Sequence, residues 1–122
     1  MNFRSQCPVA SALDIFGDRW TLVVLRTILA GRTRYGDLLK MPEKISTNIL
    51  ADRLALLERE GLISLHAYRP NPVRYEYRLT EKGADLLPVL QAMAAWATRY
   101  IPDRWAMPEW FAKAQPSKFY PL

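Results

Sequence analysis

The 122-residue chain is 50% apolar and 24% charged, with a formal net charge of +5; this fits one domain with a real core and excludes an intrinsically disordered chain. One cysteine (Cys7) and one histidine (His66) exclude a disulfide framework and a Cys/His zinc cluster. No uncharged run nears the ~20 residues that span a bilayer, and Met1–Val9 lacks the apolar stretch of a secretory signal, so a cytoplasmic protein without membrane association is expected.

The basic excess favours a polyanionic partner, and because it is spread along the chain, folding must assemble any anion-binding surface. The first helix opens at Cys7-Pro8, with Val9, Ala12, Leu13 and Phe16 at helical spacing and Pro8 tolerated in the first turn. Gly17-Asp18 ends it. Asp18 is placed to cap a second helix, Arg19 to about Ala30, in which Trp20, Val23, Val24, Thr27 and Ile28 share one face; Gly31 closes it. A short helix over Tyr35–Lys40 must stop before Pro42. Ser46 then N-caps the clearest helix of the chain, whose Leu50, Leu54 and Leu57 form one stripe and which Gly61 terminates.

From Leu62 the period changes to two. Leu62–Leu65 and Val73–Leu79 alternate apolar and polar, which predicts a β-hairpin with Tyr68-Arg69-Pro70-Asn71-Pro72 as a rigid basic turn. Thr80 caps a last long helix, Glu81 to about Tyr100, which Pro88 should bend. Residues 102–122 are rich in proline and carry Trp105, Trp110, Phe111, Phe119 and Tyr120. Such a segment is too apolar for a solvated tail and is expected to pack on the body or on a partner chain.

This order of elements describes a winged helix-turn-helix, mainly α with a small β-hairpin wing (α+β), over residues 1–101, followed by an extension over 102–122. In that fold the second helix of the motif enters the major groove with its N-terminal residues at base edges. With the leucine stripe inward, Asn48, Asp52 and Arg59 point outward. Ser46 and Thr47 sit where free N–H groups and the helix dipole attract phosphate. Asn48 is the candidate for direct readout, since an amide bonds adenine N6 and N7 together. Ile49 or Ala51 is placed for a thymine methyl, and Arg53 for a phosphate. Asp52 is tolerable near DNA only if it accepts from a cytosine amino group or pairs with an arginine. Arg69, Asn71 and Arg74 on the hairpin would reach the flanking backbone or minor groove, and Arg34 and Tyr35 a further phosphate.

Cys7-Pro-Val, Gly17-Asp-Arg-Trp-Thr-Leu, Arg34-Tyr-Gly-Asp-Leu, Ile45-Ser-Thr-Asn-Ile-Leu-Ala-Asp-Arg-Leu, Leu57-Glu-Arg-Glu-Gly-Leu-Ile and Tyr75-Glu-Tyr-Arg-Leu-Thr-Glu-Lys-Gly follow one another in this chain. The set resembles the HxlR-type transcriptional regulators, bacterial winged-helix proteins related to the MarR type, over about Cys7 to Ile101. The resemblance implies a homodimer on double-stranded DNA at a pseudo-palindromic operator, usually as a repressor and sometimes as an activator. Two departures stand out: many relatives carry a basic residue where this chain has Asn48, and the aromatic segment after Ile101 lies beyond the shared pattern. Cys7 occupies the position of an N-terminal cysteine with which some of these regulators sense oxidants or electrophiles. A thiol ahead of a helix N-terminus is stabilised as thiolate; the alternative reading is a small buried hydrophobe.

The last helix carries apolar residues on more than one face. A two-fold dimer would double the contacts of one short half-site. The expected interface joins this helix to the first one through Val9, Leu13, Phe16, Leu90, Met93, Ala97 and Tyr100. Trp20, Trp96, Tyr100 and Trp105 are read first as core and second as the lining of a small-molecule effector site. No cofactor is expected, and no enzyme: His66 stands without a nucleophile, an orienting group or paired carboxylates at a defensible spacing. The rival reading is a winged-helix protein-interaction module whose recognition helix is buried against a partner.

Overall fold

The computed structural model describes residues 2–122. Helix α1, Pro8–Phe16, opens after Cys7 with Pro8 in its first turn and buries none of its residues completely. Helix α2, Thr21–Leu29, begins two residues later than its apolar spacing predicts. The Asp18 carboxylate accepts from the N–H groups of Trp20 and Thr21 at 2.9 and 3.0 Å and from the Thr21 hydroxyl, so the helix cannot start before that turn is complete. Val24, Leu25, Ile28 and Leu29 of α2 are buried in the core. Helix α3, Tyr35–Leu38, is also shorter than expected. The turn after it places Lys44 at φ +60°, a left-handed conformation uncommon for a residue with a side chain.

Helix α4, Thr47–Arg59, is capped as its sequence requires: Ser46 Oγ accepts from the Ile49 N–H at 3.2 Å. Leu50, Leu54 and Leu57 are buried against α2 and its neighbours. Gly61 supplies the left-handed φ of +73° that ends the helix.

Strands β1, Ile63–Pro70, and β2, Val73–Leu79, pair antiparallel from Ile63 opposite Leu79 to Pro70 opposite Val73, with an irregularity between Ala67 and Arg69. The turn is therefore Asn71-Pro72, not the five residues Tyr68 to Pro72 expected from proline content. A two-stranded ribbon is all edge, and at an edge Pro70 need not donate to the ladder. The base of the hairpin is pinned to the loop before α3, where the Tyr77 N–H donates to the Thr33 carbonyl at 2.7 Å.

The long last helix of the sequence reading is two helices, α5 (Glu81–Ala84) and α6 (Leu87–Tyr100). Thr80 caps α5 by accepting from the Gly83 N–H at 3.1 Å, and Pro88 lies in the first turn of α6, where its missing N–H is harmless. The helix thus restarts at Leu87, with Pro88 in its first turn, instead of bending at Pro88. Close packing holds α5 in place: a Cβ on Gly83 would stand 2.0 Å from the Leu62 carbonyl oxygen. Lys82 Nζ donates to the Glu60 carbonyl and Thr80 Oγ1 to the Gly61 carbonyl, each at 2.6 Å, so α5 covers the C-terminal end of α4.

The extension forms α7, Glu109–Lys113, and a 3₁₀ turn, Pro116–Phe119. Phe111 is buried in the main core, and Phe119 and Tyr120 pack on it. The Gln91 amide donates to the carbonyls of Phe111 and Ala114 at 2.8 and 2.9 Å. The Tyr120 hydroxyl donates to Asp85 at 2.5 Å, and that bond pushes the phenol pKa up to about 12. No helix among the described residues is long and apolar enough to cross a membrane.

Candidate nucleic-acid interface

The outer face of α4 is polar and open. Ser46, Thr47, Asn48, Ala51, Asp52 and Arg59 are exposed, whereas Ile49 is half-buried and packs on the core. Of the two residues placed for a thymine methyl, Ala51 is thus the accessible one. The first-turn N–H groups of a helix have no partner within it; Ser46 occupies that of Ile49, while Thr47 and Asn48, at the positive end of the helix dipole, are exposed. The Tyr35 hydroxyl donates to the Thr47 carbonyl at 3.2 Å and fixes this end of α4 against α3.

Arg53 is not the free phosphate clamp its exposed spacing suggests. Its Nε donates to Asp18 at 2.7 Å and its Nη1 to Asp52, and the side chain is half-buried. Two carboxylates already satisfy the guanidinium, which braces α4 against the turn before α2. Partial burial alone would raise the Asp18 pKa, but the bonds from the Thr21 hydroxyl, the Trp20 N–H and Arg53 outweigh it and hold the carboxyl at about 2. Hydrogen bonding to Asp18 in turn raises the Arg53 pKa. Asp52 meets one of the two conditions under which a carboxylate is tolerable here, because Arg53 partners it.

On the wing, Arg69 and Arg74 stand directly opposite each other in the ladder, both exposed. Neither has a carboxylate within ion-pair distance among the described residues, whereas Arg78 pairs with Glu76. Like charges facing across strands repel, so an anion shared between them relieves the pair. Asn71 is exposed at the tip.

Arg34 and Tyr35, expected as phosphate contacts, also tie elements of the fold together, and Arg34 stays exposed. The Arg34 guanidinium stacks 3.8 Å from the centre of the Tyr68 ring, and its backbone bridges to Glu76. Two adjacent residues therefore link the wing, through Arg34, to the recognition helix, through Tyr35. No local spacing rule reveals this contact; the one hint is an aromatic residue in an otherwise basic hairpin tip. His66 lies on β1 with Nε2 2.9 Å from Ser64 Oγ, and no group of three metal-ligating side chains occurs among the described residues.

Cys7 is exposed at the start of α1, with its N–H donating to Ser5 Oγ at 3.2 Å. Of the residues expected at a dimer interface, Val9 (69%), Leu13 (50%), Met93 (51%) and Tyr100 (62%) expose apolar surface, and Phe16 and Ala97 are half-buried. Leu90 corrects the expectation: it is 7% exposed and belongs to the subunit's own core. Once α6 restarts at Leu87, Leu87 and Leu90 turn inward. Trp96 turns outward and packs on Tyr100, with ring centres 5.7 Å apart. The aromatic residues read as a second-choice effector lining do not converge, since Trp20 packs on the core while Trp96 and Tyr100 face solvent.

Comparison with known proteins agrees with this geometry. The family model described as HxlR-like helix-turn-helix matches residues 15–105. The HTH-type transcriptional regulator YdeP of Bacillus subtilis (strain 168) is 37% identical over 94 residues, 77% of this chain and 73% of its own. Among solved structures, PA1607 matches with a TM-score of 0.75 at 36% identity, over 85% of this chain and 73% of that one. The reduced form of the transcriptional regulator YodB from B. subtilis matches with a TM-score of 0.66 at 32% identity, over 82% of this chain and 99% of that one; YodB has also been solved after diamide treatment. A serine-capped outward helix and an arginine-bearing wing on this framework leave one conclusion: the chain belongs to the HxlR-like helix-turn-helix family of transcriptional regulators, related to MarR-family structures.

Proposed function

We propose that the protein is a homodimeric repressor that binds a pseudo-palindromic operator in the bacterial cytoplasm. The observation that carries this reading is the joining of two anion-seeking surfaces, the capped N-terminus of α4 and the facing pair Arg69 and Arg74, through Arg34 and Tyr35. Ser46 and Thr47 receive phosphate, Asn48 reads an adenine edge, and Ala51 meets a thymine methyl. Asp52 approaches the groove already neutralised by Arg53. Arg69, Asn71 and Arg74 hold the flanking backbone. Two copies meet through the apolar surface of α1 and α6, around Val9, Leu13, Met93, Trp96 and Tyr100, which sets two recognition helices about one duplex turn apart.

Cys7 is the proposed switch. It is exposed, it begins a helix of the proposed dimer surface, and YodB, a relative, has been crystallised both reduced and diamide-treated. Diamide takes two electrons and two protons from two thiols. With one cysteine per chain, a protein disulfide must join the two subunits, or Cys7 must pair with a small thiol. Footprinting the DNA upstream of the protein's own coding region tests both parts, using wild type and Cys7→Ser with and without diamide. We expect protection of two half-sites one turn apart, lost with diamide in wild type and kept in Cys7→Ser. Absence of any discrete protected site would overturn the operator reading, and an equal diamide response in both proteins would remove Cys7 from the mechanism.

A further inference from the structure

The extension folds back over α2 and borders a cleft of about 400 Å³, within the range of about 300–1,000 Å³ that holds small ligands. Trp105, Met107 and Trp110 line it from the extension, Thr27 from α2, Ala30 from just after that helix, and Met41 from the turn before α4. Trp105 remains 76% and Trp110 43% exposed. Two indoles left open beside an apolar cleft forgo burial that a flat occupant would restore.

The charged groups at the rim are two guanidiniums, and they differ. Arg26 is closed by a two-pronged bond to Glu43, 2.8 Å on each side. Arg32 has no carboxylate within ion-pair distance among the described residues and reaches only the Asp37 carbonyl, at 3.4 Å. Flat apolar walls with one uncompensated positive charge complement a planar aromatic molecule carrying one negative charge.

We propose that this cleft is a binding site for a planar bicyclic aromatic monoanion, with its rings against Trp105 and Trp110 and its charge on Arg32. Ala106, Met107, Pro108, Trp110 and Phe111 of the lining lie beyond residues 15–105, the part matched by the family model, so the site is an addition built by this chain's own extension. Met41 and Pro42 of the lining lie in the turn that leads to Ser46. Any effect of the ligand on operator affinity rests on the DNA-binding reading; the binding itself does not.

The test titrates the full chain with naphthoate, followed by tryptophan fluorescence, with neutral naphthalenemethanol in parallel. Saturable binding at one site per chain is expected. Arg32→Gln should weaken naphthoate at least about tenfold and leave the neutral alcohol unchanged, the signature of a lost charge-assisted bond. Trp110→Ala should weaken both, with Met107→Ser as the second variant should Trp110→Ala fail to fold. Saturable naphthoate binding by a protein that binds no DNA would uphold the site and defeat only the operator reading. The proposal is overturned by non-saturable binding in wild type, or by equal naphthoate affinity in Arg32→Gln. It is also overturned if Trp110→Ala loses self-association while naphthoate affinity is unchanged, which would give the cleft to a second copy of the chain.

Discussion

Helices α4 and α6 rest on one core and present opposite faces to the outside. Inward, both are alike: Leu50, Leu54 and Leu57 of α4 and Leu87 and Leu90 of α6 are buried together. Outward, α4 shows Thr47, Asn48, Asp52 and Arg59, while α6 shows Val89, Met93, Trp96 and Tyr100. An open polar face at a helix N-terminus suits a charged, hydrated partner such as a phosphate backbone. An open apolar face of this size suits a second protein surface. In this chain the inner faces make the fold, and the outer faces differ in chemistry, polar on α4 and apolar on α6, as the proposed division between recognition and assembly requires.

The largest effect should come from crossing inside with outside. Leu57→Ala removes a fully buried side chain and should cost about 2–5 kcal/mol in denaturant unfolding. Trp96→Arg should keep the helical far-ultraviolet spectrum but sediment as a monomer at concentrations where wild type is a dimer. If Trp96→Arg unfolds the chain as Leu57→Ala does, the outer face of α6 is core and the contrast fails.

A smaller effect separates two kinds of residue within the DNA-facing region. Asn48→Ala should cost about 1–3 kcal/mol on the preferred site and relax preference at one base step. Arg74→Ala should weaken all sequences alike and lower the salt slope by about 1. Indistinguishable behaviour of the two on specific and random duplexes would remove the division between readout and positioning.

The smallest effect concerns the brace between α4 and the turn before α2. Asp18 is held at about 2 against an ordinary value of 3.8, so in that interval the folded chain binds fewer protons than the unfolded one. Its contribution to stability is therefore complete above about pH 4 and lost as the pH falls toward 2. Thermal melts should show this loss in wild type and a flatter acid limb in Asp18→Asn. Equal acid limbs would show that the Arg53 and Thr21 bonds to Asp18 carry no stability.

What is legible in the sequence follows local rules. Ser46, the leucine stripe and Gly61 delimit α4 because capping, periodicity and left-handed termination each act within a few residues. The alternation from Val73 to Leu79 reveals the wing in the same way. What escapes depends on contacts between distant segments. The break before α6 follows a helix, α5, whose Gly83 sits against the Leu62 carbonyl, a contact between distant segments that helical spacing alone does not reveal. Beyond that break Leu90 lies inward and Trp96 outward, the reverse of what one unbroken helix suggests for the outer face. Arg34 on Tyr68 and Arg53 on Asp18 likewise join residues far apart in the chain, and each gives an arginine that reads as a DNA contact a structural partner as well.

In the proposed complex the start of α4 and the wing engage the phosphate backbone as a two-fold pair. The affinity of the dimer for its protected site, measured between 50 and 200 mM salt, tests it most directly. For 6–10 neutralised phosphates the affinity should fall by about 10³–10⁵. A change of less than about tenfold over that range would contradict it, because so few released counterions mean that the backbone is not what these surfaces hold.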